Sequence, residues 1–68
     1  MKYSSSCLLV LSTARDGRRS FPISAQVYNY PDSSIIAFIA ETLHLGLPKR
    51  VRIYRDGNIL YVDEPPSR

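Results

Sequence analysis

The run Lys49 to Asp63, K-R-V-R-I-Y-R-D-G-N-I-L-Y-V-D, constrains this chain more than any other stretch. Asp56-Gly57 stands between two alternating apolar runs, and Asp-Gly so flanked is a strong hairpin signal. Both central residues of a type I′ turn need φ > 0, which Gly takes freely and Asp tolerates. A two-residue loop at Asp56-Gly57 predicts Arg55 opposite Asn58, Ile53 opposite Leu60, Arg52 opposite Tyr61 and Val51 opposite Val62. Side chains alternate between the faces of a strand. One face is then Val51, Ile53, Leu60 and Val62, and must cover a core. The other carries Arg50, Arg52, Tyr54, Ile59, Tyr61 and Asp63, a surface both cationic and aromatic.

The chain has 68 residues, room for one domain. A domain of this size buries only about 60% of its unfolded surface, so little stability is held in reserve. Cys7 is the single cysteine, which excludes an internal disulfide and favours a reducing, cytoplasmic compartment. Met1-Lys2 ahead of Cys7-Leu8-Leu9-Val10-Leu11 makes a poor signal peptide, because the apolar run is short and Arg15-Asp16 ends it. No stretch approaches the roughly 20 apolar residues of a membrane span.

Residues 1–5 read as an extended lead-in. Ser6 to Ala14 reads as a strand apolar on both sides, the mark of a central strand. Asp16-Gly17 is a second turn, and Arg19 to Tyr28 reads as the return strand. A two-residue loop pairs Leu8 with Ala25, Val10 with Ile23 and Ser12 with Phe21. The face so formed is Leu8, Val10, Phe21, Ile23, Ala25 and Val27. Pro22 has no N–H to give, so the return strand belongs at an edge. Asp32 or Ser33 can cap a helix over Ser34 to Leu45, whose isoleucines, Phe38 and leucines form a broad apolar stripe. Gly46 suits the position after the helix and Pro48 stops it. The wide stripe covers a four-stranded sheet, or part of it packs on a second chain. Residues 65–68 form a flexible tail behind a domain of residues 1–64.

The predicted fold is a single small α+β domain, ββαββ, with one helix across one face of a four-stranded sheet. Strand order 2-1-4-3 is preferred over 2-1-3-4, because strands 1 and 4 are the most apolar. The layout is similar to a trimmed β-grasp, the ubiquitin-like arrangement.

The chain offers few groups for catalysis. Cys7 and His44 are the only thiol and imidazole, and the fold separates them. Two ligands do not hold a metal. Asp16 and Asp56 have turn roles, Ser4-Ser5-Ser6 has no base beside it, and no Gly-rich phosphate loop exists. No enzyme, cofactor or metal is expected. The formal net charge is +3, with arginine supplying seven of the nine basic residues. Arginine suits bidentate contact with carboxylate or phosphate. The basic residues fall in two groups: Arg15, Arg18 and Arg19 around the first turn, and Lys49, Arg50, Arg52 and Arg55 along the third strand. The expected partner surface is therefore Arg15, Arg18, Arg19, Arg50, Arg52, Tyr54, Arg55 and Tyr61.

In whole-chain organisation, and in the style of the R-V-R-I-Y-R-D-G-N-I-L-Y-V hairpin, the sequence resembles the small phage-encoded anti-CRISPR proteins. Proteins of this kind are often single domains of similar size with hairpins packed on one helix. The resemblance implies an inhibitor that binds an interference complex in the host cytoplasm. It carries no functional residue across. The positive charge departs from members that imitate DNA, and points to an acidic protein patch or a guide RNA. The alternative is direct binding of single-stranded RNA or DNA, with Tyr54 and Tyr61 stacking bases and the arginines on phosphates. Either reading admits a monomer or a homodimer.

Overall fold

A computed structural model describes residues 7–66, and the lead-in 1–5, Ser6 and residues 67–68 of the tail lie outside them. The elements are β1 (Cys7–Thr13), β2 (Gly17–Ile23), a short helix α1 (Ala25–Tyr28), α2 (Asp32–Glu41), β3 (Arg52–Asp56) and β4 (Ile59–Asp63). The four strands form one mixed sheet in the order β2-β1-β4-β3. β1 runs antiparallel to β2 and parallel to β4, and β3 and β4 form the second hairpin. This is the expected α+β architecture with the preferred strand order. Pro22 lies on an edge strand, where its missing N–H costs no ladder bond.

The core lies on one face of the sheet. Leu9, Leu11 and Ile23 of the first hairpin and Leu60 and Val62 of β4 pack against Ile35 and Ile39 of α2. Ile35 and Ile39 are one helical turn apart and both fully buried. Around them pack Phe21, Val27, Phe38 and, from the segment leading to β3, Leu43, Leu45 and Leu47.

The first hairpin departs from the expected register. Its loop holds three residues, Ala14, Arg15 and Asp16, because Thr13 pairs with Gly17. Gly17 sits at φ 76, and the Asp16 N–H donates to Thr13 Oγ1 at 3.1 Å. A three-residue turn closed by a left-handed glycine is a standard hairpin loop. The side-chain period is two, so a shift of odd size reverses which residues of β1 share a face with Phe21 and Ile23. The inner set is Cys7, Leu9 and Leu11 rather than Leu8 and Val10. Leu9 faces Phe21 and Cys7 faces Ile23.

The return strand also stops short of Tyr28. Ser24 takes extended backbone, and its hydroxyl accepts the Val27 N–H at 3.1 Å. That is an N-cap, and it starts α1 where a strand was expected. α2 likewise begins earlier and ends earlier than Ser34 to Leu45. Pro31 precedes it, Asp32 places a carboxylate in its first turn, and Thr42 closes it. His44, not Gly46, takes the positive φ, at 57, that reverses the chain. Histidine is among the residues that enter the left-handed region most readily. The Leu45 N–H then donates back to the Ile39 carbonyl at 3.2 Å.

The second hairpin turns one residue later than expected. Its loop is Gly57-Asn58, with Asp56 facing Ile59. Gly57 has φ 65, and Asn58 is not among the residues of positive φ, the signature of a type II′ turn rather than I′. Each partner moves by two positions, an even number. The faces read from the sequence therefore survive, although Tyr54 now faces Tyr61 and Arg52 faces Asp63.

Candidate interaction surface

Parallel pairing of β1 with β4 decides where the charges go. The C-terminal end of β1, with the first turn beyond it, lies beside the C-terminal end of β4 and hence the start of β3. Across the open face one row reads Arg18, Ser12, Asp63, Arg52. Arg18 and Arg52 are three strand spacings apart in that row, about 14 Å. The two basic groups of the sequence thus meet at one end of the sheet. Arg15, Arg18, Arg19, Lys49 and Arg50 are all exposed there.

Two carboxylates at that end, Asp63 and Glu64, are already engaged, while Asp16 in the first turn is exposed and in no ion pair among the described residues. Asp63 Oδ2 takes Arg52 Nη2 at 3.3 Å and the Tyr54 hydroxyl at 3.2 Å. Glu64 Oε1 accepts the Ala14 N–H at 2.9 Å, and the Glu64 N–H extends the β1–β4 ladder to the Ser12 carbonyl. Among the described residues the ion pairs are Arg52–Asp63 and Arg55–Asp32. The other five cations therefore have no carboxylate partner there. Glu64, Pro65 and Pro66 form a wall with a shallow cleft on each side, Arg18 lining one and Lys49 and Arg50 the other. Arg15 lines a third cleft of about 370 Å³ with Gly46, Leu47 and Pro48.

Tyr54 and Tyr61 are stacked on the open face, centroids 4.9 Å apart and planes 15° from parallel. The Arg52 guanidinium lies 5.6 Å from the Tyr54 ring centre. The Tyr54 hydroxyl is held above its usual pKa, by desolvation first and then by its hydrogen bond to Asp63 and that carboxylate's charge. It therefore stays a donor to Asp63. The two rings face each other, an arrangement that leaves no slot for a base between them.

Arg55 does not belong to this surface. Alternation puts it on the helix face with Ile53, and its side chain reaches α1. Nε donates to the Tyr28 carbonyl at 3.0 Å and Nη2 to the Tyr30 carbonyl at 2.8 Å. Nη1 stands 3.7 Å from Asp32 Oδ1, and the guanidinium lies 5.6 Å from the Tyr28 ring centre. It caps the carbonyl end of one helix and binds the first turn of the next. The period-two rule, applied to β3 from Ile53, identifies this position from sequence. Arg19 also departs from the open face, lying on the edge strand over Phe21 at 5.5 Å.

Two structural residues gave no sequence signal. Glu64 tethers the first turn, a contact between positions 50 apart in the chain. Tyr28 donates its hydroxyl to the Gly57 carbonyl at 2.6 Å and so ties α1 to the second turn. Cys7 is free and half-buried in β1, and His44 is exposed. Among the described residues no group of three or more His, Cys, Asp or Glu is arranged to hold a metal ion, and no helix is long and apolar enough to cross a membrane. No protein-family model matches the chain, and comparison with curated proteins and with solved structures gives no match either.

Proposed function

We propose that this protein is a non-enzymatic binding domain that docks its basic end on an acidic surface of a protein or nucleoprotein complex, and that it inhibits that complex. The observation that carries this reading is the meeting of Arg15, Arg18, Lys49 and Arg50 at one end of the sheet, without carboxylate partners among the described residues. Unpaired guanidinium groups beside shallow clefts suit carboxylates or phosphates presented by a large partner. The resemblance to the small phage anti-CRISPR proteins supports an interference complex as the target.

Direct binding of single-stranded nucleic acid ranks second. The same cations would serve phosphates. Against it, Tyr54 and Tyr61 stack on each other, and the Tyr54 hydroxyl and the Arg52 guanidinium are both already taken by the Asp63 carboxylate.

The test is charge reversal at Arg18 and Arg50, both exposed and outside the core. Arg18→Glu with Arg50→Glu should leave thermal unfolding unchanged and abolish binding to the complex captured from host cells. A single-stranded oligonucleotide measured in parallel across a salt series separates the two readings. Nucleic-acid binding falls by about 0.7 log units per tenfold rise in salt for each phosphate contact. Undiminished binding by the double variant would remove this end of the molecule from consideration.

A further inference from the structure

The two edges of the sheet are not alike. β2 carries Pro22, which cannot donate to an added strand, and Gly17 at its start. β3 has neither residue type, and among the described residues it pairs only with β4. An open edge of this kind is a template for another strand unless something guards it.

The direction of its free groups follows from the turn. A two-residue loop closes on a hydrogen-bonded pair, here Asp56 with Ile59. Arg52, Tyr54 and Asp56 thus direct N–H and C=O at β4. Ile53 and Arg55 direct theirs at the open edge.

The strand is self-complementary about its middle residue. β3 reads Arg52-Ile53-Tyr54-Arg55-Asp56. In an antiparallel pairing with itself centred on Tyr54, Arg52 faces Asp56 twice, Ile53 faces Arg55, and Tyr54 faces Tyr54. The outward groups of Ile53 and Arg55 then meet as hydrogen-bonded pairs. The tyrosines meet as a non-hydrogen-bonded pair, the closer type. Tyr54 is 42% exposed and already stacks on Tyr61, so the pairing completes a ladder of four tyrosines across the joined sheets. Asp56 is exposed and has no ion pair among the described residues. Centring on Arg55 sets two guanidinium groups face to face. Centring on Ile53 leaves Asp56 opposite Arg50, beyond the start of the strand.

We propose that the open edge of β3 is a homodimer interface, at which two copies of this chain pair antiparallel about Tyr54 into one eight-stranded sheet. The pairing is symmetric and closes on itself, as a twofold contact must. A five-residue edge falls short of the area of a standard interface, so the dimer is weak and forms at high concentration. It is independent of the acidic-partner reading, since it uses none of Arg15, Arg18 or Arg50.

Sedimentation equilibrium up to millimolar concentration tests it. The parent should dimerise. Asp56→Arg, which opposes Arg52 of the second copy, and Tyr54→Lys, which places two ammonium groups at the twofold, should each weaken the dimer by about tenfold or more, roughly 1.4 kcal/mol. Both residues are exposed, and circular dichroism checks that each variant stays folded. Arg52→Glu alone, which also breaks the Arg52–Asp63 pair within the chain and is checked for folding in the same way, should weaken self-association as well. An equal mixture of Arg52→Glu and Asp56→Arg chains should recover it, because each Arg then meets an acid again. A monomeric parent overturns the proposal. So do dimers indifferent to Asp56→Arg and Tyr54→Lys, and so does a mixture that fails to recover.

Discussion

Arg55 does at one position what a longer interhelical segment would otherwise do. Its guanidinium satisfies carbonyls at Tyr28 and Tyr30 and faces Asp32, holding three residues of the α1–α2 corner against β3. A charged donor on carbonyl oxygens contributes more than a neutral one, and the site is only partly exposed. Arg55→Ala should cost about 1–2 kcal/mol of stability, and Arg55→Lys should recover only part of it because one ammonium cannot span both carbonyls. Urea unfolding of the two variants checks this, and an unchanged midpoint in both would mean the corner is held by packing alone. Tyr54 supplies a second residue-scale expectation, in pH. Its folded pKa is raised above the usual 10.0, so its bond to Asp63 is fully present below that value and is lost as pH rises through the raised value. Phenolate absorbance should show one tyrosine titrating late, and Tyr54→Phe should remove that late component. A late component that survives in Tyr54→Phe would assign it to another ring.

Turn length is what the elements hang on. Gly57 sits at φ 65 with open space around the position a Cβ would take. Gly57→Val should therefore cost about 1–3 kcal/mol from backbone strain rather than from any clash. Thermal unfolding reads the loss directly. In α2 the cost of truncation should follow depth. Ile39→Ala, at a fully buried site, should cost about 2–5 kcal/mol, and Phe38→Ala less than it would in a closed core, since Phe38 is only half-buried. The same two turns explain what could be read in the sequence. Order 2-1-4-3 follows from the two most apolar strands being central, and Pro22 marks its edge. The faces of β3 and β4 survived because the loop moved by one residue on each side, an even offset. The face of β1 reversed because Thr13 and Gly17 enclose three residues instead of two. Composition cannot show that difference when β1 is apolar on both sides, since either register buries leucine or valine. Ser24 capped a helix inside what read as strand because a hydroxyl three residues before a free N–H competes with extension. Of the candidate surface, both basic groups were legible. Their meeting was not, because it depends on a parallel pairing between strands some fifty residues apart.

That pairing governs the molecule as a whole. Leu9 lies beside Leu60 and Leu11 beside Val62, all four essentially without exposure. The first and last strands are therefore the centre of the sheet, and neither hairpin has a closed core without the other. An isolated two-stranded hairpin is marginal in water, and α2, at ten residues, is too short to stand alone. The chain should accordingly unfold in one step, with no stable half. Two probes read different features without an added label. Tyrosine fluorescence reports five rings, Tyr54 and Tyr61 of the second hairpin and Tyr28 of α1 among them, while far-ultraviolet circular dichroism reports helix and sheet together. Their urea transitions should coincide, at a midpoint that also describes the loss of dispersed amide resonances from β1. A chain ending at Gly57 makes the stricter case. It keeps β1, β2, α1 and α2 intact in sequence, but it removes Leu60 and Val62 from the core and the Gly57 carbonyl's place in a closed turn. It should be unfolded at ambient temperature. A folded, dispersed spectrum from that shortened chain would show that the first hairpin and α2 form an autonomous unit, and that the β1–β4 ladder joins two parts instead of creating one.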